Sequence, residues 1–244
     1  MTDYNKSSML EAILANISKY GHHITLVAGG SVPRFAYTIG ISPIIGAELV
    51  FAGGTFYSVE EVKQIINGIA ENLVATSTPD HSIVVIDELG SFSLRQPDLS
   101  WSGALMLGAF DFYQSRDIPG FQIVPDNAHW TLDIPDLTRP WSAKSEPVWQ
   151  WLHEPWEYSI SPQSVAITNL DALRGERITE ASRWEDDEWE LFAGAGPDVP
   201  RSEIRVVPLA TLIALDPSLE AVTSLKVGKS LWRDTSDFMW HPWE

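Results

Sequence analysis

The chain of 244 residues contains no cysteine. This absence excludes disulfide bonds, thiolate nucleophiles and zinc sites built on thiolates. It is also typical of proteins in a reducing cytoplasm. The N-terminus lacks the charged and then apolar pattern of a signal peptide, and no apolar run reaches the roughly 20 residues that span a bilayer. We therefore expect a cytoplasmic protein with no membrane partner.

Basic side chains are scarce. The 16 lysines and arginines stand against 33 aspartates and glutamates, which gives a formal net charge of -17. Such a chain repels nucleic acid and anionic membranes, because phosphate binding requires lysine and arginine. It attracts a basic protein, although high charge also serves solubility alone. The composition therefore favours a cationic protein partner over nucleic acid.

Complete enzyme and cofactor motifs are missing as well. Gly228-Lys229-Ser230 resembles the end of a phosphate-binding loop, but Thr223 stands where the loop requires glycine. His153-Glu154 begins like a zinc-protease helix, but Pro155 breaks the helix. His22 and His23 are adjacent, and adjacent strand residues point to opposite faces, so they do not predict a shared metal site. We expect no metal and no cofactor.

Periodic patterns predict the elements of the first half. Phe35, Tyr37 and Ile39 alternate with smaller residues, which predicts a strand with one face in the core. The run 48–52 is apolar on both faces, as in a central strand. Ser58 begins a capping box before a strong helical stripe. The other predicted elements are a helix from Ser8, a strand at 23–27 that forms a hairpin with 35–39, strands at 83–86, 91–95 and 121–124, and a helix from Ser100 to about Tyr113.

This ordered set of elements resembles the bacterial domain of unknown function 4262 family over about residues 9–140. The matching residues are Tyr20-Gly21, 35–40, 48–51, 111–113, 121–124 and Pro125-Asp126. The family often has His-Pro-Glu before its central strand, whereas this chain has Gly46-Ala47-Glu48. Any role of that histidine is therefore absent here. Because the function of the family is unknown, the resemblance implies a fold and no chemistry.

Residues 141–158 are rich in proline and tryptophan. Proline is excluded from helix interiors and central strands, so this segment predicts a connector with aromatic anchors. It separates a domain at 1–140 from a smaller domain at 159–244. In the second domain, patterns predict strands at 164–168, 178–184, 189–193 and 204–207 and a helix at 209–215. The predicted fold class is α+β: helices packed on a mixed β-sheet, followed by a smaller β-rich α+β domain.

From Trp189 onward the chain resembles a second family, domain of unknown function 2185, which is grouped with bacterial polymorphic-toxin immunity proteins. The matching residues are Trp189, 191–194, 207–209, Asp216-Pro217 and 228–234. The acidic Gly-Asp-Glu of that family is replaced here by 194–198, which weakens an acidic site at that place. The resemblance implies a non-enzymatic protein that neutralises a toxin by masking its active surface.

Glu48 is a carboxylate at the start of an apolar strand. If buried, it needs a partner such as Arg34, or its pKa rises. We therefore name Arg34, Tyr37, Thr38 and Glu48 as candidates for one ligand pocket. A structural hydrogen-bond network among them is the alternative.

The densest negative run lies at 185–190. Its residues Trp184, Asp186, Asp187, Glu188, Trp189 and Glu190 are candidates for binding a basic protein, such as a toxin, with tryptophan as the anchor and carboxylates for steering. A solvated surface is the alternative. Three functions thus stay open: an immunity-type binding protein, which the lack of catalytic motifs favours; a small-molecule enzyme with a pocket around Tyr37, Thr38 and Glu48; and an accessory domain without a ligand.

Overall fold

The computed structural model describes residues 3–76, 83–236 and 239–243. In these ranges the chain forms two mixed six-stranded sheets with helices packed against them. The first sheet lies within residues 23–125 and the second within residues 165–242. The predicted α+β fold class, in two parts, is confirmed.

The first sheet has a central parallel pair flanked by antiparallel strands. Its strands are β1 (His23–Val27), β2 (Phe35–Ile39), β3 (Glu48–Ala52), β4 (Ile83–Ile86), β5 (Gly90–Arg95) and β6 (Gly120–Pro125). They lie in the order β1-β2-β3-β6-β5-β4, with β3 and β6 parallel. The predicted hairpin is β1 with β2, in which His23 faces Ile39. All of β3 is buried, as its two apolar faces predict.

In the described part of the first half, the helices are α1 (Asp3–Tyr20), α2 (Ser42–Ile45), α3 (Val59–Thr76), α4 (Leu99–Leu105) and α5 (Leu107–Tyr113). The predicted capping box opens α3. The Ser58 amide donates to the Glu61 carboxylate at 2.6 Å, and the Glu61 amide donates to the Ser58 hydroxyl at 3.2 Å. Its stripe then buries Ile65, Ile66 and Ile69 completely. Burial of this face on the sheet stabilises α3 more than helix propensity does.

Two predicted helix starts are wrong. The first helix begins at Asp3, so Ser8 lies inside it, and of its apolar stripe Ile13 is buried while Leu10 and Leu14 are exposed. The predicted helix from Ser100 is two helices, and its cap is Asp98, whose carboxylate accepts from the Ser100 amide at 2.9 Å. The break falls at Met106, which leaves the helical conformation between α4 and α5.

The second sheet also has one parallel pair, which lies next to an edge strand and not at the centre. Its strands are β7 (Val165–Asn169), β8 (Glu180–Arg183), β9 (Glu188–Phe192), β10 (Ile204–Pro208), β11 (Lys229–Trp232) and β12 (His241–Pro242). Their order is β10-β7-β9-β8-β11-β12, with β7 and β9 parallel. Among the residues described there, α6 (Leu170–Leu173) and α7 (Leu209–Leu215) are the α-helices that accompany the sheet. The four predicted strands and α7 are present, whereas α6, β11 and β12 had no sequence prediction.

The Pro/Trp-rich segment is anchored in both halves. Trp149 is fully buried against Phe35 and Trp101 in the first half, and its indole N–H donates to the Asp133 carbonyl at 2.9 Å. Trp156 packs against the core of the second half. The two halves also meet directly, because the Arg205 guanidinium on β10 donates to the Phe56 carbonyl at 2.7 Å. The segment is therefore a packed part of the structure.

Candidate functional site

The Glu48 carboxylate lies at the centre of a closed hydrogen-bond network. The side chain is 0% exposed at the start of β3. Its Oε2 accepts from the Thr38 hydroxyl at 2.5 Å. Its Oε1 accepts from the Gly40 and Ser42 amides, each at 3.0 Å, and from the Tyr113 hydroxyl at 2.5 Å. Three of these four donors share Oε1 and one reaches Oε2, so the carboxylate is held by the surrounding fold through both oxygens.

Thr38 reaches Glu48 because the pairing of β2 with β3 stops early. The last backbone pair is Tyr37 with Val50. Beyond this pair, the Thr38 hydroxyl takes the place of a backbone acceptor on β2. It accepts from the Leu49 amide at 2.8 Å and donates to the Glu48 carboxylate. Thr38 and Glu48 therefore belong to a structural hydrogen-bond network, which was the alternative to a ligand pocket.

Tyr37 and Arg34 do not join this network. Tyr37 alternates to the other face of β2, where its hydroxyl accepts from the Gly108 amide at 3.0 Å. Arg34 precedes β2 and lies about 13 Å from Thr38 along the strand direction. Its guanidinium donates to the carbonyls of Gly54 and Tyr57. The four candidates therefore do not line one pocket.

Tyr113, on α5, is a member of the network that sequence reasoning missed. It lies 65 positions from Glu48, and no local spacing links them. Burial raises the pKa of Tyr113, and the adjacent Glu48 carboxylate raises it further, so the phenol keeps its proton. The network thus ties β2, α2, β3 and α5 together and leaves no open carboxylate for acid or base catalysis.

The acidic run forms the turn of the β8–β9 hairpin. Glu185, Asp186, Asp187 and Glu188 are all exposed. The turn is closed by the Trp184 amide, which donates to the Glu188 carbonyl at 3.0 Å. We name residues 185–188 the acidic turn.

The two candidate tryptophans beside the acidic turn have opposite placements. Trp184 is 53% exposed, and its indole N–H donates to the Glu190 carboxylate at 3.2 Å. Trp189 is 0% exposed in the core of the second half, with the Arg183 guanidinium 4.4 Å from its ring centre. Trp189 therefore cannot anchor a partner at the surface, which corrects the sequence prediction. Trp184 keeps that role open.

Asp216 and Arg233, which lie in two separate sequence motifs of the second half, form an ion pair. The Arg233 guanidinium, itself buried, lies 2.7 Å from the Asp216 carboxylate, and it donates to the Ser218 hydroxyl and the Ile178 carbonyl. Burial alone would raise the pKa of Asp216, but the hydrogen bonds from Ser218 and Arg233 hold that pKa below its ordinary value. Asp216 and Arg233 thus fasten the end of α7 to the end of β11.

Within residues 3–76, 83–236 and 239–243, no three histidine, aspartate or glutamate side chains are grouped to hold a metal ion. Within the same part of the chain, no helix has the length and apolar character to cross a bilayer.

Comparison with known proteins relates the first half to one family. Residues 16–130 match the model of the family described as Domain of unknown function (DUF4262). The match begins near the end of α1 and extends past β6, so it includes the whole first sheet. It agrees with the resemblance based on Tyr20-Gly21, β2 and β3. No curated protein and no solved structure matches the chain. The resemblance of the second half to the 2185 family stays a prediction.

Proposed function

We propose that the protein is a cytoplasmic, non-enzymatic bacterial binding protein that holds a basic protein partner, of the toxin-neutralising immunity type. The observation that carries this proposal is the acidic turn. It presents four consecutive carboxylates at a hairpin tip, and within the described residues none of the four forms a salt bridge with a cationic side chain.

Hydrogen bonds to backbone carbonyls fix the conformation of the acidic turn. The Arg183 guanidinium donates to the carbonyls of Leu225 and Asp186, each at 2.8 Å. The Val165 amide donates to the Asp187 carbonyl at 2.9 Å. Arg183 thus donates to backbone carbonyls and forms no salt bridge with the carboxylates of the acidic turn, of which that of Asp187 accepts from the Ser164 hydroxyl at 3.4 Å. A surface that is ordered before binding loses less conformational entropy when a partner docks.

The negative net charge of the chain favours a basic protein as the partner. A chain of net charge -17 attracts a basic protein over long range, and complementary charge raises association rates by about 10- to 1,000-fold at low salt. Trp184 supplies a half-exposed aromatic surface beside the carboxylates, and tryptophan is enriched among the residues that dominate interface energies. The enzyme alternative has less support, because the Glu48 carboxylate is fully buried and already accepts four hydrogen bonds from the protein.

The test is association kinetics against the product of the neighbouring gene, which this proposal expects to be a basic protein. Asp186→Lys combined with Asp187→Lys should lower the on-rate at least about tenfold at low salt and much less at high salt, because salt screens exposed charges. The matched control is Asp111→Lys with Asp117→Lys, an equal charge change at exposed positions of the first half. An on-rate indifferent to salt and to the acidic turn, or equal losses in both double variants, contradicts the proposal.

A second pair of variants separates interface from core. Trp184→Ala should raise the off-rate and change the free energy of unfolding by no more than about 0.5 kcal/mol, as for most surface positions. Trp189→Ala should instead cost about 3–5 kcal/mol of stability, because it empties a buried site. A Trp184→Ala variant that dissociates as slowly as the wild type removes Trp184 from the interface.

A further inference from the structure

A cavity of about 770 Å³ opens at one end of the first sheet, where α1 ends and α2 and α3 meet β1. This volume lies in the range of pockets that hold small organic ligands. The apolar part of its wall consists of Ile24, Ile41, Ile44, Ala70, Val74 and Ala75. Its polar part includes Asn16, His22, His23 and Asn67, and its charged part is Lys19, Lys63 and Glu71.

Both histidines of the sequence pair line this cavity. The expectation of opposite faces does not apply to them, because β1 begins at His23 and His22 lies in the preceding bend. His22 is only 7% exposed, and its Nε2 lies 2.9 Å from the Asn67 side-chain oxygen. The Nδ1 of His23 lies 2.8 Å from the Asn16 side-chain nitrogen.

These asparagines assign the imidazole protons. An amide nitrogen donates, so Nδ1 of His23 accepts and the proton of the neutral ring lies on Nε2. Burial lowers the pKa of His23, and the neighbouring His22 lowers it further, which keeps the ring neutral at pH 7. Within the described residues, Nε2 of His23 has no hydrogen-bond partner. The cavity therefore contains one N–H donor that is held in position and unused.

A cation lies on the same side of the cavity. Lys19 is on the last turn of α1, three positions after Asn16, and residues at this spacing share a helix face. Within the described part of the chain Lys19 forms no salt bridge, and its ammonium lies 4.7 Å from the Tyr20 ring centre. An N–H donor and an ammonium together suit a carboxylate.

Two apolar side chains that line the cavity are partly exposed to solvent. Ile44 on α2 is 58% exposed and Val74 on α3 is 46% exposed, although both line the cavity. An apolar ligand body would remove these side chains from water, which stabilises a complex by about 25 cal/mol for each Å² buried.

We propose that this cavity binds a small carboxylate with an apolar body. The carboxylate accepts from Nε2 of His23 and from the Lys19 ammonium, and the apolar body lies against Ile44 and Val74. This site is independent of the acidic turn, so either proposal can fail without the other.

The test is calorimetric titration of the full chain at pH 7.5 with decanoate and with decyltrimethylammonium, both below their micellar concentrations. Decanoate should bind at one site, and decyltrimethylammonium should bind at least tenfold more weakly. Lys19→Glu should weaken decanoate binding at least tenfold, because it places a like charge near the carboxylate. Lys226→Glu, an exposed charge reversal outside the cavity, should leave the affinity unchanged.

A blocking variant locates the site. Ala75 is exposed on α3 and lines the cavity, so Ala75→Trp should fill the opening without loss of fold and abolish decanoate binding. The matched control is Ala12→Trp, at an exposed position of α1 outside the cavity. Decanoate binding that survives Ala75→Trp, tighter binding of the cationic amphiphile, or no binding of decanoate overturns the proposal.

Discussion

Replacing Glu48 with alanine should destabilise the protein strongly, because four buried or half-buried donors share its carboxylate. The four donors differ in whether they keep another acceptor once the carboxylate is removed. The Gly40 amide keeps the Tyr113 oxygen as an acceptor at 2.9 Å. The Ser42 amide also keeps the Tyr113 oxygen. The Thr38 and Tyr113 hydroxyls, in contrast, have no other acceptor within the described residues. The variant therefore leaves at least two donors unpaired.

The magnitude follows from those two donors. A buried donor without a partner costs about 1–3 kcal/mol, so the pair costs about 2–6 kcal/mol. A central value of about 4 kcal/mol is a large part of the roughly 5–15 kcal/mol by which folded proteins are stable. For a chain of this size, about 2–4 °C per kcal/mol gives a fall in Tm of about 8–16 °C.

Urea unfolding followed by circular dichroism measures this loss. The matched control is Tyr113→Phe, which removes one donor and leaves the carboxylate three others, so we expect a loss of about 1 kcal/mol. The double variant should lose less than the sum of the two, because the residues share one hydrogen bond. A Glu48→Ala variant within about 0.5 kcal/mol of the wild type would refute the reasoning.

Two further predictions concern acid stability and the connector. The folded-state pKa of Asp216 lies below its ordinary value, so its contribution is present above about pH 4 and is lost as pH falls through the folded value. Asp216→Asn should therefore lower stability at pH 7 and reduce the loss of stability below about pH 4 in urea unfolding; an unchanged acid profile contradicts this. Limited proteolysis should spare residues 141–158, because Trp149 is buried in the first half and Trp156 packs on the second; rapid cleavage there with release of two stable halves contradicts it.

Sequence patterns correctly predicted the helices and strands whose formation depends on residues close together in the chain. The capping box at Ser58 and the stripe through Ile65, Ile66 and Ile69 identified α3, because both signals depend on residues within one or two turns. The start of α1 was missed because Ser8 offered an equally good local signal inside a helix that had already begun. The short strand β11 was missed because it pairs with β8, more than 40 residues earlier in the chain, and β12 was missed because it has only two residues, which pair with β11.

Contacts between residues far apart in the sequence determine which candidate residues lie together in the structure. The sequence placed Arg34, Tyr37, Thr38 and Glu48 together, but strand alternation and strand length separate Tyr37 and Arg34 from Glu48. Tyr113 replaced them, and nothing near Glu48 in the sequence indicates it. In the same way, the sequence could not tell that Trp184 is exposed and Trp189 buried, because both flank the same acidic run.

By itself, the sequence determined the fold class, the acidic charge, the absence of thiol chemistry and most element positions, since each depends on composition or on neighbours within a few residues. The tertiary structure alone decided which carboxylate is enclosed, which tryptophan reaches solvent and which histidines meet in a cavity. The physical reason is that burial and hydrogen bonding depend on which residues pack together, and these partners lie up to 65 positions apart around Glu48 and 45 positions apart around His22.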